Sequence, residues 1–269
     1  MRGCGLKVAL FLGAVVVLTA GIVVAVVLTR SPVRTPGCTV ALPGQGAYTF
    51  TPEQANNAAT IAAVGTKLGL PPHAATVALA TALQESKLRN LEGGDRDSVG
   101  LFQQRPSQGW GTVAQLRDPV YAATAFYEKL DKLPGWEAMP ITEAAQAIQR
   151  SGVPGAYAQW EPQSRALAAA FTGQVPAALT CRNLTLAAPA DVAAAATGEL
   201  GTARLSGAHP AGEGWTYASW LVGRAEALGV DKVSFAGQTW TAESGAWAQD
   251  SAAGADLSLH QAPAARQSE

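Results

Sequence analysis

The segment from Val8 to Leu28 limits what this chain can fold into more than any other feature, because its only polar residue is Thr19. At about 1.5 Å of rise per residue, a helix of this length spans the roughly 30 Å hydrocarbon core of a bilayer. A cleaved signal peptide, the alternative, has a shorter apolar run and a small-x-small cleavage site. The sequence therefore predicts a cytoplasmic tip and a transmembrane anchor over residues 1–30.

The three cysteines indicate where the remainder of the chain lies. Cys4 precedes the apolar segment, whereas Cys38 and Cys181 flank a long stretch without cysteine. A bridge between these two would close a long loop, which the chain-entropy model values at about 5 kcal/mol, and such bridges persist outside the cytoplasm. Two unrelated buried thiols are the alternative. We favour a Cys38–Cys181 disulfide, and hence a single-pass protein of the cell membrane with its C-terminal body extracytoplasmic.

Composition excludes some partners and cofactors. The formal net charge is −1 over 269 residues, which offers no basic surface to a nucleic-acid backbone. The three histidines, His73, His209 and His260, lie far apart, and no Cys/His cluster has the spacing of a metal site. We therefore predict no nucleic-acid partner, no metal and no other cofactor.

Proline, glycine and hydrophobic periodicity divide the rest of the chain into four regions. Residues 31–50 are rich in proline and glycine and predict a tether, and residues 51–181 show helical periodicity without strand alternation. Residues 182–207 are alanine-rich and predict a linker with one short helix. Residues 208–269 combine a helical pattern with alternating segments. The predicted fold is mainly α, a helical domain after a transmembrane helix, with a small α+β module at the C-terminus.

The individual elements follow from caps, breakers and periodicity. The predicted helices are Thr51–Gly69, Pro72–Glu85, Asp118–Leu133, Thr142–Arg150, Gln163–Phe171 and Trp215–Leu228, and the predicted strands are Lys232–Phe235, Gln238–Thr241 and Asp256–His260.

Glu85 is the residue on which the functional prediction depends. The helical pattern that it closes is apolar on every side, which indicates a core helix. Burial and the negative end of a helix dipole both disfavour a carboxylate, so both would raise the pKa of Glu85. A raised pKa is what a general acid requires at neutral pH. An ordinary solvated glutamate at a helix end is the alternative.

The residues that follow Glu85 resemble the signature of the soluble lytic transglycosylase family, within the lysozyme-like superfamily. That family has a catalytic Glu-Ser and then, at this same spacing, Gly-Leu-Met-Gln-x-x-Pro. The matching residues are Glu85, Ser86, Gly100, Leu101, Gln103 and Pro106. Phe102 replaces the methionine, and the acidic run 93–97 replaces an alanine-glycine lead-in. The third family block is present only loosely at 147–152, and Tyr157 corresponds to a family tyrosine that faces the acid.

The resemblance covers about residues 55–172 and implies a lysozyme-like catalytic domain that acts on peptidoglycan glycan strands. In such enzymes the acid protonates the β-1,4 bond between N-acetylmuramic acid and N-acetylglucosamine. It then accepts the 6-hydroxyl proton, so that a 1,6-anhydro sugar forms without a second carboxylate. Asp95 and Asp97 could instead supply the base or nucleophile of a lysozyme-type muramidase, or they could form a solvated loop. A non-catalytic wall-binding scaffold is the remaining alternative.

Polar and aromatic residues near the signature are candidates for substrate binding. They are Ser86, Ser98, Gln103, Gln104, Trp110, Gln149 and Tyr157. Amide side chains such as Gln103 and Gln149 are expected to hydrogen bond with the acid or with sugar N-acetyl groups. Trp110 lies between two glycines and suits sugar stacking, although a buried anchor is equally compatible with its position.

The C-terminal module faintly resembles a D-Ala-D-Ala carboxypeptidase-like domain, through Ser206–Pro210, Tyr217–Leu221 and Trp240. That family binds zinc through a His and an Asp near its start and a His-x-His strand near its end. Here no aspartate follows His209 at the right distance, and residues 257–259 read Leu-Ser-Leu. We predict a metal-free remnant that binds peptide stems or serves only as structure.

Overall fold

The computed structural model describes residues 35–150, 153 and 155–263 of the chain. The predicted transmembrane segment, Val8–Leu28, lies outside these residues, as does Cys4. Within the described ranges no helix is long and apolar enough to cross a membrane. The prediction of a single-pass membrane protein therefore has no support in the structure, and we withdraw it.

A three-stranded antiparallel sheet replaces part of the predicted tether. Its strands are β1 (Gly37–Ala41), β2 (Ala47–Phe50) and β3 (Leu179–Arg182), in the order β2-β1-β3. Strands β1 and β3 align Cys38 with Cys181, and a disulfide joins the two residues, as predicted. Because β1 and β3 are short and distant in sequence, neither has an alternating pattern long enough to be recognised.

The fold class is therefore α+β rather than mainly α. A second antiparallel sheet comprises β4 (Val230–Phe235), β5 (Gln238–Thr241), β6 (Trp247–Gln249) and β7 (Ser258–Gln261), in the order β6-β5-β4-β7. The three strands predicted for the C-terminal module are confirmed to within a few residues. The prediction missed β6, which has only three residues.

Helices account for most of the chain between β2 and β4. They are α1 (Pro52–Lys67), α2 (Pro72–Ser86), α3 (Val113–Leu116), α4 (Pro119–Asp131), α5 (Ile141–Gln149), α6 (Glu161–Phe171), α7 (Val192–Leu200), α8 (Ala211–Gly223) and α9 (Ala225–Leu228). The predicted helix starts are confirmed where the chain offers a cap. At α1, the Thr51 hydroxyl accepts the Gln54 N–H while the Gln54 side chain accepts the Thr51 N–H.

Helix α2 is the centre of the core and carries the candidate acid at its end. Every residue from Ala74 to Leu83 is buried, and the helix packs against α1, α4, α5 and α6. Small alanine side chains let these neighbours approach on all sides. The helix ends where Lys87 adopts a left-handed conformation with φ 56°, and the Lys87 N–H is shared between the carbonyls of Ala82 and Leu83.

The C-terminal elements share one hydrophobic core with the central helices. Helix α8 is buried from Gly214 to Gly223 and contacts α1, α6 and β4. Two of its glycines make room for aromatic rings, since a Cβ on Gly214 would collide with Phe235 and one on Gly223 would press on Phe171. Helix α8 and the second sheet are thus packed against the central helices.

Helix α7, within the predicted linker, is held by a buried polar cluster that we call the Glu199 clamp. One Glu199 oxygen lies 2.9 Å from the Arg224 guanidinium, and the other accepts from Trp220 Nε1 at 2.8 Å and from the Thr60 hydroxyl at 3.0 Å. Arg224 also donates to Asn56. The clamp therefore joins α1, α7 and α8, and both oxygens of the Glu199 carboxylate have partners.

Candidate active site

Glu85 lies in the last turn of α2, half-buried, with neutral hydrogen-bond donors around it. The Tyr157 hydroxyl donates to Glu85 Oε1 at 2.8 Å, and the Gln149 side chain also hydrogen bonds with the carboxylate. Tyr157 is 0% exposed and Gln149 is the last residue of α5, so both donors come from packed parts of the chain. The structure thus places three of the predicted site residues in one cluster.

The electrostatic balance at this cluster raises the pKa of Glu85. Burial is the largest cause, because it penalises the charged form. Hydrogen bonds from Tyr157 and Gln149 and the charge of Lys87 act in the opposite direction, and they offset only part of the burial effect. A carboxyl group with a raised pKa keeps its proton to a higher pH than an exposed glutamate does and is a stronger base once it has lost it, as acid and base steps on one residue require.

The turn at residues 100–103 of the signature is hydrogen-bonded to residues next to or in contact with Glu85. The Ser86 hydroxyl lies 2.7 Å from the Leu101 carbonyl oxygen, and Gln149 Nε2 donates to the Phe102 carbonyl at 2.7 Å. Gly100 has φ +76°, and a Cβ there would collide with the Leu116 carbonyl. The Glu-Ser and Gly-Leu segments are therefore coupled, and buried Ser86 acts as their connection rather than as a sugar ligand.

Gln103 completes this turn, in a left-handed conformation with φ 47°. Its Nε2 donates to the Gly100 carbonyl at 3.1 Å. Its Oε1 lies so close to the Gly94 backbone that a Cβ on Gly94 would collide with it. The acidic run 93–97, where the sequence departs from the transglycosylase signature, thus lies directly against the Gln103 side chain, whose amide hydrogen bonds within the turn.

The two rival carboxylates of this loop differ in their environments. Asp97 accepts from Arg105 Nε at 2.7 Å, from the Ser107 N–H at 2.8 Å and from the Ser107 hydroxyl at 3.0 Å. These donors hold the pKa of Asp97 well below its usual range. The side chain of Asp95 is 93% exposed, with Arg96 3.9 Å away. Asp97 fastens its loop, and Asp95 is the carboxylate that is open to solvent.

Three other predicted substrate contacts are mainly structural. Gln104 is 2% exposed and donates to the Ala122 carbonyl on α4, and Ser98 is buried. Trp110 is 7% exposed, packs with Val99 and Leu116, and has the Lys129 ammonium 3.1 Å from its ring centroid. The burial of Trp110 favours the anchor role over sugar stacking.

Sequence reasoning missed the residues on the other flank of Glu85. Lys87 Nζ lies 4.0 Å from the centroid of the Trp160 ring, and Trp160 Nε1 donates to Gln84 Oε1 at 2.8 Å. Gln159 donates to the same oxygen at 3.2 Å. Proximity in sequence could have identified Gln84 and Lys87, because they flank Glu85 in the same helical turn.

A cavity of about 520 Å³ has Gln149, a hydrogen-bond partner of Glu85, in its wall. Its lining comes from the end of α5, from α4 and from the segment around Trp110, and the residues are Gln108, Trp110, Lys129, Lys132, Leu133, Ala147, Ile148, Gln149 and Arg150. Gln149 therefore belongs both to the cluster around Glu85 and to the cavity wall.

The histidines of the C-terminal module form no metal centre in the part of the chain that the structure describes, where no three His, Cys, Asp or Glu side chains come together. His209 Nδ1 lies 3.5 Å from Glu213, whereas His260 Nδ1 lies 2.6 Å from Asp231 on the second sheet. The two histidines thus have separate carboxylate partners.

Comparison with known proteins assigns no family to this chain: no family model matches it, and no curated protein matches it with a significant score. The functional argument therefore depends on the residues and geometry described above.

Proposed function

We propose that this protein cleaves the glycan strands of peptidoglycan as a lytic transglycosylase, with Glu85 as its single acid and base. The observation that carries the proposal is the half-buried Glu85 carboxyl group with its raised pKa, held at 2.8 Å by Tyr157. The likeness of the Glu85–Pro106 segment to the transglycosylase signature supplies the substrate class.

The reaction needs two proton transfers at one carboxyl group. Protonated Glu85 donates to the glycosidic oxygen as the bond from that oxygen to C1 of the muramic acid breaks, which leaves positive charge on the ring. The muramic acid 6-hydroxyl then attacks C1 and passes its proton to the Glu85 carboxylate. The products are a 1,6-anhydro sugar and a free 4-hydroxyl, and Glu85 is protonated again.

The partners of Glu85 suit this double role. Tyr157 and Gln149 are neutral donors, so they orient the carboxyl group without fixing it permanently in its charged form. An arginine in either place would favour the carboxylate and remove the acid from the first step. Positioning by neutral groups is therefore consistent with a residue that must change protonation state in each turnover.

A lysozyme-type hydrolase is the second candidate, and exposed Asp95 is the observation that favours it. Its side chain belongs to the loop that rests on Gln103, and it has the freedom to assist a water molecule. Asp97 is less suited to this part because Arg105 and Ser107 occupy its oxygens.

Digestion of purified peptidoglycan by the full chain, followed by mass spectrometry of the products, separates the candidates. We expect anhydro-muropeptides and a loss of at least about 1000-fold in rate for Glu85→Gln, since the acid provides both proton transfers. Glu137→Gln, at an exposed site in a short 3₁₀ turn, is the matched control and should keep full activity. Reducing ends would identify a hydrolase, and an unchanged wall would indicate a non-catalytic scaffold.

A further inference from the structure

Three cations line the cavity that contains Gln149. Lys129 and Lys132 approach from the C-terminal end of α4, and Arg150 caps the C-terminus of α5. Among the residues that the structure describes, no acidic one lines the cavity. A triply positive site is unusual in a protein whose formal net charge is −1, and it offers an anion a strong local field.

None of these three side chains forms an ion pair with any residue that the structure describes. Lys129 is held at the cavity wall by the Trp110 ring, with 3.1 Å between its ammonium and the ring centroid. The pKa of Lys129 is lowered, first by burial and then by the nearby charge of Arg150. A bound anion would relieve this repulsion between like charges.

Gln149 connects the cationic cavity to the acid. Its side chain hydrogen bonds with Glu85 and with the Phe102 carbonyl, and it also lines the cavity. A glycan whose scissile bond lies at Glu85 would therefore place a substituent of a neighbouring sugar in or next to the cavity. The cavity volume of about 520 Å³ is in the range of sites that enclose small ligands.

We propose that this cavity binds a carboxylate carried by the lactyl-linked peptide stem of a muramic acid residue, so that the protein selects stem-bearing glycan over neutral glycan. This inference rests on the proposed function, because it takes peptidoglycan as the substrate. The N-acetylated sugar rings are neutral, whereas the stem contributes free carboxylates at some distance from the ring. Arginine and lysine pair with carboxylates through charge-assisted hydrogen bonds, and arginine does so with two parallel bonds.

A binding experiment tests the inference without requiring turnover. The full chain carrying Glu85→Gln is titrated with soluble peptidoglycan strands of three kinds: strands with intact stems, strands whose stem carboxylates have been converted to amides, and strands stripped of stems so that the lactyl carboxylate is free. We expect binding to intact strands about 10-fold tighter than to amidated ones, which corresponds to the loss of one charge-assisted contact.

Variants of the cavity locate the effect. In the chain that already carries Glu85→Gln, the double substitution Lys129→Gln and Arg150→Gln should weaken binding of intact strands about 10-fold. Binding of amidated strands should stay unchanged. Lys132→Gln is a milder second variant with the same expected direction. Lys232→Gln removes a lysine from an exposed position on the second sheet and is the matched control, with no expected change.

The outcomes separate this inference from the proposed function. Equal binding of intact and amidated strands, or equal losses for both in the cavity variants, would overturn the inference while leaving cleavage by Glu85 intact. A carboxylate preference that depends on Lys129 and Arg150 in a protein that cuts no strand would support the cavity's role and overturn the transglycosylase. Tighter binding of stripped strands than of intact ones would assign the cavity to the lactyl carboxylate, and it would overturn the proposal that a stem carboxylate binds there.

Discussion

Glu85 and Glu199 are two glutamates near the C-terminal ends of helices, and their surroundings differ in one decisive way. Glu85 is half-buried at the end of α2 and accepts from the neutral side chains of Tyr157 and Gln149. Glu199 is 5% exposed at the end of α7 and is paired with the Arg224 guanidinium. Burial and a helix end are common to both, but only Glu199 has a cation in direct contact.

This difference separates a chemical role from a structural one. A buried carboxylate that pairs with arginine and accepts hydrogen bonds on its other oxygen connects the elements that carry these groups. A carboxyl group with neutral donors has no such partner to keep its charge, so its protonation can change during a reaction. We therefore expect substitutions at the two glutamates to have opposite effects on stability and activity.

The largest expected effect is on stability, at the Glu199 clamp. Glu199→Ala should lower the free energy of unfolding by about 3–5 kcal/mol, because the buried Arg224 charge would lose its partner. Urea denaturation followed by circular dichroism measures the change, and Glu137→Ala is the exposed control. The rate per folded molecule should stay the same. A selective loss of turnover in fully folded Glu199→Ala would remove the distinction between the two glutamates.

The disulfide between Cys38 and Cys181, like the Glu199 clamp, should contribute to stability and not to catalysis. Replacing Cys38 and Cys181 together by serine should cost about 2–4 kcal/mol, since the bridge closes a loop with a sequence separation of 143 residues. Thermal unfolding with and without a reductant measures the effect. The pH dependence of activity should not move, because neither cysteine contacts Glu85. A shift in that profile would show that the first sheet and the acid are coupled.

A smaller effect is expected at Tyr157. Tyr157→Phe should lower the rate about 10- to 100-fold, because the carboxyl group loses the donor that orients it. The Tyr157 hydrogen bond lowers the pKa of Glu85, so its removal should raise that pKa further. Since the first step needs protonated Glu85, the fall of activity with rising pH should move to higher pH. A shift of this fall to lower pH would contradict the assigned interaction.

The smallest effect is a gain of stability on removing the acid. Because the pKa of Glu85 is raised in the fold, the folded state binds the proton more tightly than the unfolded chain. The associated stability is complete below the unfolded pKa and is lost as pH rises through the folded pKa.

Glu85→Gln should therefore raise the free energy of unfolding at pH 7 by about 0.5–1 kcal/mol, in line with the usual trade of stability for activity. The gain should vanish near pH 4. Melting curves of the variant and the parent chain at both pH values measure it. A Glu85→Gln protein that is less stable at pH 7 would mean that the carboxylate supports the fold, as Glu199 does.

Local sequence signals predicted the helical part of this fold. The central helices follow from caps and apolar periodicity, and the burial of α2 on every side follows from its run of small and apolar residues, in which only Thr76 and Thr81 are polar. The Cys38–Cys181 bridge was predictable from the absence of cysteine between the two positions. The likeness to the transglycosylase signature selected Glu85 and Tyr157, which lie far apart in sequence and which the fold brings within hydrogen-bond distance.

Non-local features were missed because no short window contains them. Strand β1 pairs with β3 across most of the chain, and neither strand has an alternating pattern long enough to identify it alone. The Glu199 clamp joins α1 to residues more than a hundred positions away, so Glu199 could not be distinguished from a solvated glutamate. Gln104 and Trp110 were assigned to a cleft from proximity to the signature, whereas packing against α4 and the Val99 cluster buries them.

The close packing of α8 bears on how such a protein can change over evolutionary time. Phe235 and Phe171 lie against glycines on this helix, and the indoles of Trp240 and Trp247 donate to the carbonyls of Cys181 and Leu179. A deletion of the chain after β3 would remove all these contacts together. A fusion that added such a segment would have to create all of them together. The region should therefore be inherited together with the helices that carry Glu85, and not exchanged between proteins as an independent cassette.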